Sequence, residues 1–66
     1  MSVAKVIELS ARSGDSFEQA IKEGIAKANE TLDNIEGAWV KEQQVVIENG
    51  DIVGYEVNLQ VTFVLA

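Results

Sequence analysis

The sequence predicts an α+β fold: a β-α-β-β unit in which a three-stranded antiparallel sheet wraps one helix. Three observations carry that reading. Asn49-Gly50 stands between two long strand-like runs, the strongest short-range signal for a two-residue type I′ hairpin. Val53, Tyr55, Val57, Leu59, Val61, Phe63 and Leu65 form an unbroken apolar row at the period of a strand. Phe17, Ala20, Ile21, Gly24, Ile25, Ala28 and Leu32 recur at helical spacing, one apolar stripe about four turns long. The row and the stripe must meet.

The elements follow in chain order. Residues 3–10, VAKVIELS, read as a first strand, with Val3, Lys5, Ile7 and Leu9 on one face and Ala4, Val6, Glu8 and Ser10 on the other. ARSGD breaks the alternation. Ser16 followed by Gln19 fits a capping box, in which the Ser hydroxyl accepts the amide three residues on. Gly24, inside the helix stripe, costs roughly 1 kcal/mol relative to Ala, so a close helix-to-sheet approach is expected there. Asp33-Asn34 ends the helix, because Asn tolerates the left-handed conformation.

The remainder is one long hairpin. A two-residue turn at Asn49-Gly50 sets Glu48 opposite Asp51, and every opposed pair then sums to 99. One face carries Val46 with Val53, Gln44 with Tyr55, Glu42 with Val57, Val40 with Leu59 and Ala38 with Val61. The other carries Ile47 with Ile52, Val45 with Gly54, Gln43 with Glu56, Lys41 with Asn58 and Trp39 with Gln60. A helix of about 16 residues covers roughly 24 Å, while strands of about 12 residues run roughly 40 Å. The hairpin end therefore outruns its cover, and exposed apolar surface of that kind marks a protein interface.

Composition leads to the same place. The chain has 66 residues, 47% of them hydrophobic, with 5 basic and 11 acidic side chains and a net charge of −6. That is one small domain, 1–66. Below roughly 70–80 residues a lone core seldom supplies more than about 3–5 kcal/mol. With neither Cys nor His, disulfides and thiolate zinc sites are excluded, and oligomerisation is the remaining way to add stability. The acidic balance argues against nucleic acid and anionic membrane as partners. VTFVLA is far short of the ~20 residues of a membrane span. MSVAKVIELS meets Glu8 before a signal-peptide core develops, so a cytoplasmic protein is expected.

The opening KVIELS, the stretch SFEQAIKEGIAKANETLDNI and the hairpin ending in YEVNLQVTFVL together resemble the dodecin family over essentially the whole chain. The resemblance implies a β-α-β-β subunit and a hollow homo-oligomer of twelve copies that stores or sequesters flavin (riboflavin or FMN) without turnover. Its site residues transfer position by position. The tryptophan that stacks on the flavin ring in that family aligns with Gly37. The glutamine that hydrogen-bonds the ring edge aligns with Glu56. Trp39 lies two residues beyond Gly37, on the same strand face. Gly37, Trp39 and Glu56 are therefore the candidate ligand-binding residues. The chain is also similar to a dodecin branch that lacks the stacking tryptophan and has a calcium-binding member.

Each candidate carries two readings. Trp39 either fills a subunit interface or stacks on a planar ligand. Glu56 is either a solvated carboxylate or a ligand contact; ionised, it accepts hydrogen bonds but cannot donate them. Glu48 and Asp51 flank the turn and can hold Ca²⁺ or another cation only with further oxygens from water or symmetry mates. No serine has a His base, no glycine-rich phosphate loop is present, and no catalytic residue is assigned. The expected function is a small-molecule-binding assembly and not an enzyme; the alternative is a structural or metal-ion storage assembly that holds no flavin.

Overall fold

The computed structural model describes residues 3–65. The order is β1 (Val3–Ser13), α1 (Phe17–Ala28), β2 (Ile35–Glu48) and β3 (Asp51–Leu65), the predicted β-α-β-β unit. β3 lies between β1 and β2, antiparallel to both. Its central place explains why its apolar row is the best buried. Val57, Leu59 and Val61 are fully buried with Ala20, and Ile7, Leu9, Ala11, Phe17, Ile21, Ile25 and Ile35 pack around them.

α1 starts as the sequence predicts. Ser16 is its N-cap, and its hydroxyl accepts the Gln19 amide at 2.9 Å. Gly24 lets the helix approach the sheet: a Cβ there would sit 3.0 Å from Ala11 Cβ and 3.2 Å from Leu59 Cδ1. Phe17 meets Tyr55 edge to face, with ring centroids 5.1 Å apart, an arrangement that favours the opposed charge distributions of ring edge and face. The helix ends earlier than the stripe suggested, at Ala28. There the Thr31 hydroxyl donates to the Ala28 carbonyl at 3.4 Å, and tight turns through Glu30 and Thr31 replace further helix. The left-handed residue is Asn34, with φ of 61°.

β1 is longer than expected, running on through Ala11, Arg12 and Ser13 to pair with Val57, Glu56 and Tyr55. Ser13 then stops it, its hydroxyl accepting the Asp15 amide at 3.0 Å. The hairpin turn has positive φ at both central residues, 52° at Asn49 and 81° at Gly50, as type I′ requires.

The register departs from the sum of 99 in the middle of the hairpin. Ile47 pairs with Ile52, but Val46 pairs with Gly54, leaving Val53 as an extra residue on β3. Val40 pairs with Leu59, but Glu42 pairs with Asn58, leaving Lys41 as an extra residue on β2. The two bulges compensate one another, and the five pairs between them are shifted by one. A shift of one residue exchanges the two faces of a strand. Gln43 and Val45 therefore stand on the helix side, opposite Val57 and Tyr55, while Glu42, Gln44 and Val46 turn to the other face. Glu56 is opposite Gln44 rather than Gln43, and Glu42 rather than Lys41 is opposite Asn58. Trp39 remains opposite Gln60, as predicted.

Candidate functional site

The face of the sheet turned away from α1 is polar and built of rungs centred on β3. Glu56 has Arg12 on one side and Gln44 on the other; Asn58 has Ser10 and Glu42; Gln60 has Glu8 and Trp39; Thr62 has Val6 and Gly37. All three sequence-predicted residues lie on this face, but not at one point. Trp39 is two rungs from Glu56, about 13 Å along the strand, and Gly37 three rungs, about 20 Å. Trp39 is 71% exposed. At Gly37 nothing lies within 4 Å of where a Cβ would be, so the strand leaves open space at the family's stacking position.

Glu56 is not a free carboxylate. The Arg12 guanidinium donates to its Oε1 through Nη2 at 2.9 Å and through Nε at 3.3 Å. Glu8 lies beside Asn58, Lys41 and Gln60; the Asn58 amide, chiefly, and the Lys41 ammonium at 3.5 Å hold its carboxyl below the usual carboxylate range. Ser10, Glu42, Gln43, Gln44, Glu56, Val57 and Asn58 line a shallow cleft of about 170 Å³. On its wall Asn58 Oδ1 is buried and has no hydrogen-bond partner among the described residues. A buried acceptor of this kind needs a donor or a cation.

Sequence reasoning missed Arg12, Glu42, Gln44 and Asn58. Arg12 had a signal, because the alternation of β1 continues inward at Ala11 and outward at Arg12. Glu42 and Gln44 had none, since only the paired bulges place them on this face. Glu48 and Asp51 do pair at the hairpin tip, both exposed. Among the described residues, no group of three or more acidic side chains converges to hold a metal ion.

The residues can be tested against a flavin-type ring. The stacking surface is absent at Gly37 but present at Trp39, and the hydrogen-bonding position holds an ion pair in place of an amide. Trp39 offers a face for such a ring and the Arg12–Glu56 pair a polar edge, but at about 13 Å apart the two do not meet one ring within one chain. For a cation, the fit is the oxygen-rich cleft and its orphaned Asn58 Oδ1.

A second depression, of about 620 Å³, runs between α1 and the edge strand β1, lined in part by Ile7, Leu9, Ala11, Gly24 and Ala28. No helix among the described residues is long and apolar enough to cross a membrane.

Comparison with known proteins agrees with this architecture. Calcium dodecin of Mycobacterium tuberculosis (strain ATCC 25618 / H37Rv) is 36% identical over 63 residues, 96% of this chain and 89% of that protein. A crystal structure of that organism's calcium dodecin, described as calcium chelating and as having a novel calcium-binding site, superposes with a TM-score of 0.85 at 34% identity. It covers 98% of this chain and 93% of the other. A single-residue mutant of the Thermus thermophilus dodecin superposes with a TM-score of 0.93 at 33% identity, covering 100% and 97%. The Dodecin family model matches residues 3–66. With its whole described length in the same fold, this chain belongs to the dodecin family.

Proposed function

We propose that this chain is a non-enzymatic ligand-holding protein that acts as a closed homo-oligomer of twelve copies in the cytoplasm. Its cargo is a planar flavin-type ring, riboflavin or FMN, stacked on Trp39. The observation that carries this reading is the exposure of Trp39 in the middle of a polar sheet face. An indole offers a large, rigid apolar surface, and leaving it in water forfeits its burial. A ring ligand or a second copy covers it. Because Trp39 and the Arg12–Glu56 pair are two rungs apart in one chain, the ring is held between copies, stacked on one and hydrogen-bonded by another. The apolar groove beside β1 and the bare hairpin end supply the surfaces for assembly.

The test is a riboflavin fluorescence titration of the assembled protein beside Trp39→Ala and Gly37→Trp. Stacking is worth roughly 1–3 kcal/mol per ring. Trp39→Ala is expected to weaken binding about tenfold, and Gly37→Trp, placed in open space, to tighten it by a similar factor. No quenching by the native protein or by Gly37→Trp defeats the flavin reading. A folded monomer of about 7.2 kDa in light scattering defeats the assembly.

A second reading is a divalent-cation store. It is favoured by Glu42, Glu56 and the orphaned Asn58 Oδ1 around one cleft, and by the calcium-chelating relative. Such an ion takes six to eight oxygens, more than one chain's cleft provides, so a second copy or water completes the shell. Calorimetric titration with Ca²⁺ of the native protein and of Glu42→Gln separates this reading from the first.

A further inference from the structure

We propose that Arg12 is a ligand-binding residue: together with Glu56 it presents a side-by-side donor and acceptor to the imide edge of a planar heterocycle. The inference rests on the reading of the polar face as a ring site, and it concerns how that site tolerates a carboxylate at position 56.

An imide edge runs carbonyl, N–H, carbonyl. An amide side chain matches two adjacent members of it, offering one acceptor and one donor. A lone carboxylate offers acceptors only, so one oxygen meets the N–H and the other meets a carbonyl, leaving two acceptors face to face. The Arg12–Glu56 geometry removes this conflict. Both Arg12 bonds end on Glu56 Oε1. Among the described residues Glu56 Oε2 accepts no hydrogen bond, and Arg12 Nη2, 2.9 Å from Oε1, spends one of its two hydrogens there and keeps the other, so an acceptor and a donor remain on adjoining groups. The guanidinium fork is planar and permanently charged, which keeps those donors in a fixed plane.

The surroundings are built for this course of the side chain. Arg12 is the neighbour of Glu56 on β1, and the pair stands on the same face as Trp39. Its stem passes beside Gly54, where Arg12 Cδ lies 3.8 Å from the position a Cβ would take, and Val46 closes the other side at 3.5 Å. Arg12 also neutralises one of the two carboxylates that line the cleft, Glu42 being the other. The site thus accepts a neutral ring without leaving two like charges unpaired beside it. The Arg12 side chain is 61% exposed, so it is free to shift its remaining donors toward a ligand.

The experiment is a titration with riboflavin, and with its N3-methyl analogue, of the native assembly, Arg12→Ala, Glu56→Gln and the double variant Arg12→Ala/Glu56→Gln. Light scattering checks that each is still assembled. A hydrogen bond to a charged group is worth roughly 1.5–3 kcal/mol, so Arg12→Ala is expected to weaken riboflavin about tenfold or more. The double variant is expected to recover most of that loss, because the amide carries its own donor. Methylation at N3 should weaken binding to the native protein by a comparable factor. Riboflavin bound equally well by Arg12→Ala, or a double variant as weak as Arg12→Ala, overturns the role of Arg12 and leaves the ring site standing. Binding by the double variant but not by the native protein also overturns it, showing that the ion pair blocks the ring. No binding by any of the four defeats both this inference and the flavin reading.

Discussion

Where α1 lies on the sheet, Val57, Leu59 and Val61 have no exposed surface; toward the hairpin tip Ile47, Ile52 and Val53 remain 58, 55 and 46% exposed. Both regions are β-sheet of similar apolar composition. The difference is cover: a helix of 12 residues reaches about 18 Å, against a molecule 51 Å long. One end of the sheet is therefore covered by its own chain, and the other is left bare. The core lies under the helix, while the tip carries exposed apolar surface of the kind that joins chains.

The largest effect is expected from truncation under the helix. Leu59→Ala removes a fully buried side chain at the centre of the core, and such changes cost about 2–5 kcal/mol. Against the few kcal/mol a core of this size supplies, thermal unfolding followed by circular dichroism should show a chain mostly unfolded at room temperature. A native-like melting curve breaks the contrast between the two regions.

At the tip the expected change is in assembly. Ile52→Asp places a charge on an exposed apolar position, where substitutions seldom move a chain's own stability by more than about 0.5 kcal/mol. Light scattering should show smaller species that retain β-sheet circular dichroism. An unchanged mass with Ile52→Asp, Ile47→Asp and their combination means that the hairpin end does not join copies.

Gly24→Ala sharpens the comparison within the covered region. The helix gains about 1 kcal/mol of propensity, but the new methyl meets Ala11 Cβ at 3.0 Å, and overpacking costs about 1–3 kcal/mol. Ala11 is held by its own strand and cannot turn aside. A net loss of about 1 kcal/mol is expected, relieved by Ala11→Gly in the same chain. If Gly24→Ala melts higher than the native protein, the approach of helix to sheet is looser than these distances indicate.

The smallest effect belongs to the polar face. Glu8 has its carboxyl lowered in the folded state, chiefly by Asn58 and then by Lys41, relative to an ordinary value of 4.5. A lowered group contributes stability that is present above the ordinary value and is lost as pH falls through the folded one. Native protein should therefore lose slightly more stability than Glu8→Gln on acidification below about pH 4.5. The two should keep a constant offset at neutral pH. Parallel curves through the acid range remove Glu8 from the account.

The elements and their faces were legible in the sequence because they depend on short-range rules. Ser16 caps the helix by reaching three residues forward, Asn49 and Gly50 accept positive φ locally, and the apolar row of β3 needs only the pleat of one strand. The position of Trp39 away from the helix followed from that same pleat. The ends were less legible: α1 stops at Ala28, where the Glu30 and Thr31 amides turn to carbonyls three residues back, although the apolar pattern runs on to Leu32. Family membership was also within reach, since it rests on the order and length of these elements.

The site itself was only partly legible. The sequence alone determined that Gly37, Trp39 and Glu56 share a strand face, and that the hairpin outruns the helix and leaves apolar side chains bare at its end. Tertiary structure decided what surrounds them. Arg12 meets Glu56 across 44 residues of chain, a contact made only when β1 runs on to Ser13. Glu42 and Gln44 reach the polar face because an extra residue on β3 at Val53 is cancelled by one on β2 at Lys41. Neither bulge is written in a local motif. A bulge is a relation between two strands, set by which partners pack best across the whole sheet, and no single strand's alternation contains it.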